Sequence, residues 1–124
     1  MNSQLTRIVR TLLGIIHVSF GLNKFFHFIP LPALPENANA FMESLNNTGY
    51  VLPFVAVMEI IIGLMLLAKS KVALALILLV PISVNILLFH MFLDIPGLAG
   101  ALLVAVLNGI LIYKNWSQYR PIFA

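Results

Sequence analysis

The sequence contains no cysteine at all. This absence excludes disulfide bonds, iron–sulfur clusters, thiolate metal sites and thiol-based redox relays. Small membrane enzymes that shuttle disulfides need cysteine pairs, so the chain does not belong to that class. The sequence also lacks a phosphate-binding loop, a dinucleotide-binding fingerprint and a nucleophile elbow. Any chemistry must therefore use a few polar side chains, a lipid-soluble ligand or a partner subunit.

Charged residues are also scarce. Only 9% of the residues are charged, whereas 61% are hydrophobic. Soluble domains average about 25% charged residues, since a small protein has a large surface to cover. The composition therefore predicts an integral membrane protein in contact with the lipid bilayer. The net charge of +3 is spread thinly at the ends of apolar runs. Basic residues in these positions indicate how the chain is oriented in the membrane. They do not form the concentrated patch that would predict a nucleic-acid partner.

Four apolar segments are each close to the roughly 20 residues that cross a bilayer. They cover residues 8–29, 51–68, 72–93 and 98–113. Runs of this length without period-2 alternation predict helices. We therefore predict an all-α membrane protein, with residues 1–124 forming a single integral membrane domain folded as a four-transmembrane-helix bundle.

The segment between the first two spans, residues 30–50, has a different character. It opens with Pro30, Pro32 and Pro35, which cannot continue a helix. Residues 36–47 then predict a short helix that ends before Gly49. We interpret this helix as an interfacial helix that lies over the bundle in the first outer loop. An ordinary surface loop is the alternative.

The distribution of charge predicts the topology. The basic residues that flank the spans on one side are Arg7, Arg10, Lys69, Lys71, Lys114 and Arg120. The positive-inside rule then places both termini in the cytoplasm and the loop of residues 30–50 outside. Asp94, which precedes Ile95 and Pro96, is expected to cap the start of the fourth helix. Gly14 and Gly21 on span one, and Ala56 and Gly63 on span two, would permit close helix packing.

Three polar residues on three different spans fall within about one helical turn of the same depth, in the outer half. They are Lys24, Glu59 and Asn85. A charged side chain inside the membrane costs about 2.5–3.5 kcal/mol or more, and Lys24 is the only cation at this depth that could pair with Glu59. Both are candidate catalytic residues for proton exchange or ligand binding. The alternatives are a structural ion pair or a Lys24 side chain that extends to the outer interface.

The histidines could carry protons, donate hydrogen bonds to a quinone or bind a metal. His17 falls near the middle of the membrane, whereas His27 and His90 fall near its outer surface. No spacing demands a haem or metal site, and none is predicted. His17, His90 and Asn85 are retained as candidate ligand-binding residues together with the charged pair. For His17 the alternative is a hydrogen bond to nearby backbone. For Asn85 the alternatives are a bond to the Ile77 carbonyl, which Pro81 frees in its helix, and a hydrogen bond that bridges two helices.

Several motifs in order along the chain resemble the DoxX family of small bacterial four-span membrane proteins. They are Gly14-x6-Gly21-x2-Lys24, Glu59-x3-Gly63-Leu64 and Pro81-x3-Asn85-x3-Phe89-His90-x-Phe92. The resemblance covers nearly the whole chain. It implies a location in the bacterial cytoplasmic (inner) membrane, and it implies that Lys24, Glu59, Asn85 and His90 form a shared polar cluster. Some members are membrane subunits of quinone-linked oxidoreductases, including thiosulfate:quinone oxidoreductase, and others belong to redox-stress complexes.

Two functional hypotheses remain open, and a third is disfavoured. The first is a quinone-interacting subunit of an oxidoreductase, in which Lys24, Asn85 and His90 donate hydrogen bonds, Glu59 relays a proton and phenylalanines hold the ring. Its electrons would come from a partner membrane or soluble subunit. The second is a non-catalytic assembly or anchoring subunit, acting as a homo-oligomer or with such a partner. Transport of protons or small solutes is disfavoured, because Asn108 is expected only to join helices and the inner half offers no polar path.

Overall fold

The protein is described by a computed structural model over residues 3–124, of which 84% are helical and none forms a strand. The helices are α1 (Ser3–Phe26), α2 (Glu36–Asn47), α3 (Val51–Leu67), α4 (Val72–Leu93), α5 (Leu98–Lys114) and the single turn α6 (Trp116–Tyr119). Short 3-10 turns cover Ile95–Gly97 and Arg120–Phe123. The all-α prediction is confirmed, and each of the four predicted apolar segments corresponds to one long helix. The bounds of the first segment are wrong, because α1 begins five residues before residue 8 and ends at Phe26, three residues before residue 29.

The four long helices form a closed ring of neighbours. Helix α1 packs against α3, α3 against α4, α4 against α5, and α5 back against α1. One apolar core joins them, built from Val9, Leu13, Ile62, Leu66, Ala75, Leu76, Leu79, Val104, Leu107 and Leu111. These residues come from the start of α1 and α4 and from the end of α3 and α5. The core therefore fills the half of the bundle that contains the start of α1 and the end of α5, which we call the basic end.

The outside of the bundle is apolar as well. Large hydrophobic side chains are exposed along every long helix, for example Ile15, Ile61, Leu88 and Val106. A contiguous apolar exterior of this kind is unfavourable in water and favourable against lipid chains. The surface is consistent with contact between these helices and a bilayer.

By length and composition, three helical segments of the described chain could cross a membrane. They are Ser3–Phe26, Val72–Leu93 and Ile95–Lys114. A fourth is reached if Glu36–Asn47 and Val51–Leu67, which meet at an angle of 90°, are counted as one broken span. The described chain therefore has the pattern of a multi-pass helical membrane protein, with three to four candidate membrane-spanning helices.

The α1–α3 interface is built on small residues, as the sequence predicts. A Cβ atom on Gly21 would lie 2.9 Å from the carbonyl oxygen of Ala56, and one on Gly63 would lie 2.6 Å from Val18. All the predicted small residues on this face are buried, namely Gly14, Gly21, Ala56 and Gly63. Higher numbers in α1 meet lower numbers in α3, so the two helices run antiparallel at backbone-contact distance. The predicted close approach is confirmed.

Helix α2 lies across the end of the bundle opposite the basic end. It contacts α3 and α4, and the ring of Phe41 lies 5.8 Å from the ring of Phe89. Ala38 is fully buried in this contact region. The prediction that residues 36–47 form a helix packed over the bundle is therefore confirmed, and the alternative of an irregular loop is wrong.

Candidate functional site

The charged pair that the sequence pointed to is formed. The Lys24 Nζ atom lies 3.0 Å from Glu59 Oε1, which is both a salt bridge and a hydrogen bond between α1 and α3. The Glu59 side chain is 3% exposed, whereas the Lys24 side chain is 28% exposed. The pair therefore combines a buried glutamate with a lysine whose side chain is partly exposed on the outside of the bundle.

Helix direction explains why the two groups converge. Side chains of an α-helix lean towards the N-terminus of their own helix. Because α1 and α3 are antiparallel, Lys24 leans deeper into the bundle while Glu59 leans towards Lys24. Gly21 makes room for this arrangement, since a Cβ atom there would lie 3.2 Å from the Cβ of Glu59. The alternative in which Lys24 extends to the outer interface is wrong for this structure.

Asn23 is a structural residue that the sequence analysis did not select. Its Oδ1 atom accepts a hydrogen bond of 2.6 Å from the Ile29 N–H, and its Nδ2 atom donates to the Ile29 carbonyl at 3.3 Å. The His27 N–H donates to the Asn23 carbonyl, and His27 adopts a left-handed φ of 52°. Asn23 thus fixes the turn that follows α1, and it directly precedes Lys24, the residue that binds Glu59. No sequence pattern signals this clamp, because it depends on the turn conformation.

His17 lies on the same buried face of α1, seven residues before Lys24. It is 2% exposed, and its Nε2 atom has no hydrogen-bond partner among the described residues. The backbone hydrogen bond that would explain His17 as a purely structural residue is therefore not made by this nitrogen. His17 stays a candidate hydrogen-bonding group inside the bundle.

Asn85 does not join the charged pair. It is exposed on α4, and its Nδ2 atom donates to the Pro81 carbonyl at 2.8 Å. The predicted partner among the alternatives was the carbonyl of Ile77, which loses its donor at Pro81. The structure instead shows Asn85 bound to the carbonyl of Pro81 itself, four residues before Asn85. Asn108, by contrast, donates to the Leu76 carbonyl at 3.2 Å and joins α5 to α4, as predicted.

His90 belongs to a separate polar group at the turn between α4 and α5. Its Nδ1 atom lies 3.0 Å from Asp94 Oδ2, and its ring meets Phe89 edge-on at 5.0 Å. The prediction that Asp94 caps the following helix is wrong for the side chain, because no such cap is formed. The i,i+4 spacing of His90 and Asp94 was the available signal for their pairing. Gly97 packs on them, since a Cβ there would lie 2.6 Å from the His90 ring.

The phenylalanines predicted to hold a ligand ring lie mostly on the surface. The exposed ones are Phe20, Phe25, Phe28 and Phe92, while Phe89 is half-buried between Phe41 and His90. These exposed phenylalanines lie in the half of the bundle opposite the basic end, and they do not enclose an aromatic pocket. His27 is exposed, as expected of an interfacial residue. Among residues 3–124, no group of three or more potential ligands could hold a metal ion.

Comparison with protein-family models, curated proteins and solved structures finds no match to this chain. The class defined by fold and site is a helical membrane protein with one buried ion pair between its first and second long helices. The resemblance to the DoxX family stays a prediction.

Proposed function

We propose that the chain is a DoxX-like integral membrane subunit associated with quinone-linked redox chemistry in a bacterial inner membrane. In this proposal α1, α3, α4 and α5 each cross the bilayer, and both termini lie in the cytoplasm. Helix α3 has 17 residues, a length of about 25 Å, which is at the lower end of the range for a spanning helix. The positive charge at the basic end supports the orientation.

The observation that carries the proposal is the unequal exposure of the Lys24–Glu59 pair. The Lys24 side chain is 28% exposed, in a part of α1 where Phe20 and Phe25 are exposed as well, and the Glu59 side chain is 3% exposed. A lipid-soluble ligand can therefore reach Lys24 from the membrane without first entering a closed cavity. Lys24 supplies a hydrogen-bond donor for a carbonyl oxygen, and Glu59 supplies a proton-holding group 3.0 Å behind it.

The residues of this site fit a quinone in their chemistry. A bound quinone accepts electrons and protons, and the electrons would come from a partner subunit. Lys24 would hold one quinone carbonyl by a charge-assisted hydrogen bond. Glu59 would keep the ammonium oriented and exchange a proton with it. Exposed Phe20 and Phe25 flank Lys24 in sequence and offer apolar contact for a ring.

The test is quinone binding by purified protein in detergent, measured as the rise in Tm on addition of a short-chain quinone. We expect the wild type and the control variant Lys71→Gln to be stabilised alike, because Lys71 lies outside this site. We expect Lys24→Gln to lose the stabilisation. Unchanged binding by both Lys24→Gln and Glu59→Gln would rule out the proposal. Asn85→Leu serves as a further probe, and its binding should equal that of the wild type if Asn85 stays outside the site.

The second candidate is a non-catalytic assembly or anchoring subunit. The observation that favours it is that the Lys24–Glu59 pair joins α1 and α3 where small residues already hold them in contact. In that case the pair would set helix register, and the covering helix α2 would be available to a partner protein. Glu59→Gln would then lower the Tm without altering quinone binding, whereas a redox role predicts near-normal folding with lost function.

A further inference from the structure

The basic end of the bundle carries a cavity with a volume of about 360 Å³. We call it the basic pocket. Its lining residues are Ser3, Thr6, Arg7, Arg10, Lys69 and Lys114. They come from the start of α1, the α3–α4 turn and the last residue of α5. Four of these six side chains are cationic, so the tertiary fold gathers positive charge that is dispersed in the sequence.

No acidic side chain lies near this pocket. The sequence has four Asp and Glu residues in total. Glu59 is bound by Lys24 and Asp94 lies against His90, while Glu36 and Glu43 are in α2 at the opposite end of the bundle. The pocket therefore has a concentrated positive potential, which favours an anionic ligand.

Arg10 is held in position for such a ligand. Its guanidinium group donates a hydrogen bond to the Leu66 carbonyl near the end of α3. A guanidinium group has five N–H donors, so this bond orients Arg10 and leaves further donors for an anion. Forked donors of this type match the oxygens of a phosphate group.

The backbone conformation of Lys69 is a second feature of the pocket. Lys69, two residues after the end of α3, has φ of 54°, a left-handed conformation in which glycine is the usual residue. Lys71, two residues later, has φ of 50° but does not line the pocket. The turn thus holds a cation at the pocket although glycine would fit the backbone with less strain.

A shallow apolar strip on one face of α1, which we call the groove, adjoins the pocket at Arg7. It has a volume of about 330 Å³ and is lined by Arg7, Ile8, Thr11, Leu12 and Ile15. Arg7 lines both the pocket and the groove. From Arg7 to Ile15 the groove follows α1 for about 12 Å towards the middle of the bundle. Its isoleucine and leucine side chains are exposed.

We propose that this composite site binds one anionic phospholipid, with the phosphate in the basic pocket and an acyl chain in the groove. A free phosphate would leave the groove uncovered, and a zwitterionic lipid would bring its own ammonium group into a cationic pocket. Basic pockets at the ends of membrane helices hold anionic headgroups for the same electrostatic reason. The site uses none of the residues assigned to quinone binding, so either proposal can fail alone.

The test is native mass spectrometry of detergent-solubilised protein, titrated with phosphatidylglycerol or with phosphatidylcholine of the same acyl chains. We expect one tightly bound phosphatidylglycerol and clearly weaker binding of phosphatidylcholine. Lys69→Gly should weaken phosphatidylglycerol binding by about fivefold, the effect of one cation at a membrane surface. Soluble glycerol phosphate, which has no acyl chains, should not displace the lipid at equal concentration.

Lys71→Gly is the matched control for Lys69→Gly. Both substitutions remove one positive charge and place glycine at a left-handed position, so both should leave the fold intact and the Tm equal to or above that of the wild type. Only Lys69→Gly removes a cation from the pocket. Equal losses of lipid in the two variants, equal binding of the two lipids, or displacement by glycerol phosphate would each overturn the proposal.

Discussion

Gly14 and Gly63 face each other across the α1–α3 interface at backbone contact. A Cβ atom on Gly63 would lie 2.8 Å from the Gly14 carbonyl oxygen, and one on Gly14 would lie 3.0 Å from the Gly63 carbonyl oxygen. Backbone atoms cannot yield as the end of a flexible side chain can. A methyl group on either residue must therefore push the two helices apart.

This contact predicts that Gly63→Ala destabilises the protein by about 1–3 kcal/mol, the range for overpacking a close interface. The measurement is the free energy of unfolding in detergent, from denaturant titration followed by circular dichroism. Gly109→Ala is the control, because a Cβ atom there meets nothing within 4 Å. Alanine favours helix over glycine, so Gly109→Ala should be neutral or stabilising. Equal stability of the two variants would contradict the packing argument.

The ion pair predicts unequal costs for its two single substitutions. Lys24→Gln leaves the buried Glu59 carboxylate without its cation, whereas Glu59→Gln leaves an ammonium group that can turn towards the outside. We expect Lys24→Gln to be the more destabilising variant. Its cost should be below the about 3–5 kcal/mol found for breaking fully buried pairs, because Lys24 is partly exposed.

A double-mutant cycle measures this coupling directly. The variant with both Lys24→Gln and Glu59→Gln should be more stable than the sum of the single effects predicts. Additive effects, within the usual scatter of about 0.3–0.5 kcal/mol, would mean that the 3.0 Å contact contributes nothing to stability in the membrane protein.

The Asn23 clamp predicts a local effect on the turn after α1. Asn23→Ala removes both hydrogen bonds to the Ile29 backbone and should cost about 1–2 kcal/mol. Hydrogen exchange of the Ile29 amide should become faster, since its acceptor is lost. Asn39→Ala is a suitable control, because Asn39 is an exposed residue of α2. If Ile29 exchanges equally fast in both variants, the clamp does not operate.

Tyr119 predicts a loss of stability at high pH. Its hydroxyl donates to the Ala73 carbonyl at 2.7 Å, and burial raises the pKa of Tyr119 above its usual value near 10. The unfolded chain therefore releases this proton first, so the contribution of Tyr119 is complete below pH 10 and is lost as the pH rises further. Absorbance titration should show a tyrosine component that ionises above the usual pH range, and Tyr119→Phe should remove that component. A late component that survives in Tyr119→Phe would assign it to another residue.

The helices themselves could be predicted from the sequence. Four apolar runs, a proline-rich break and the segment 36–47 correspond to the long helices, the loop and α2 because length and hydrophobicity dominate local structure in lipid. The packing of Gly14 and Gly21 against Ala56 and Gly63 was also visible, since residues seven apart lie on one helix face. The position of a residue along the bundle follows from counting along its helix, and this count placed Lys24 and Glu59 at about the same level.

Depth alone could not decide which polar residues meet. Asn85 lies at the depth of the ion pair but faces outwards, because its direction depends on how α4 is rotated within the bundle. His90 pairs with Asp94. Asn23 hydrogen-bonds the Ile29 backbone, which the left-handed conformation of His27 brings within reach. These partners depend on helix rotation and turn conformation, which hydrophobicity does not specify.

By itself, the sequence determined that the chain is helical, apolar and limited to a few polar groups, since composition and run length suffice for those properties. Only the tertiary structure decided that Lys24 points inwards to Glu59, and that Arg7, Arg10, Lys69 and Lys114 surround one pocket. The physical reason is the same in both cases. The packing and rotation of antiparallel helices determine where a side chain points and which residues distant in sequence it contacts. Helix packing and rotation are properties of the whole bundle.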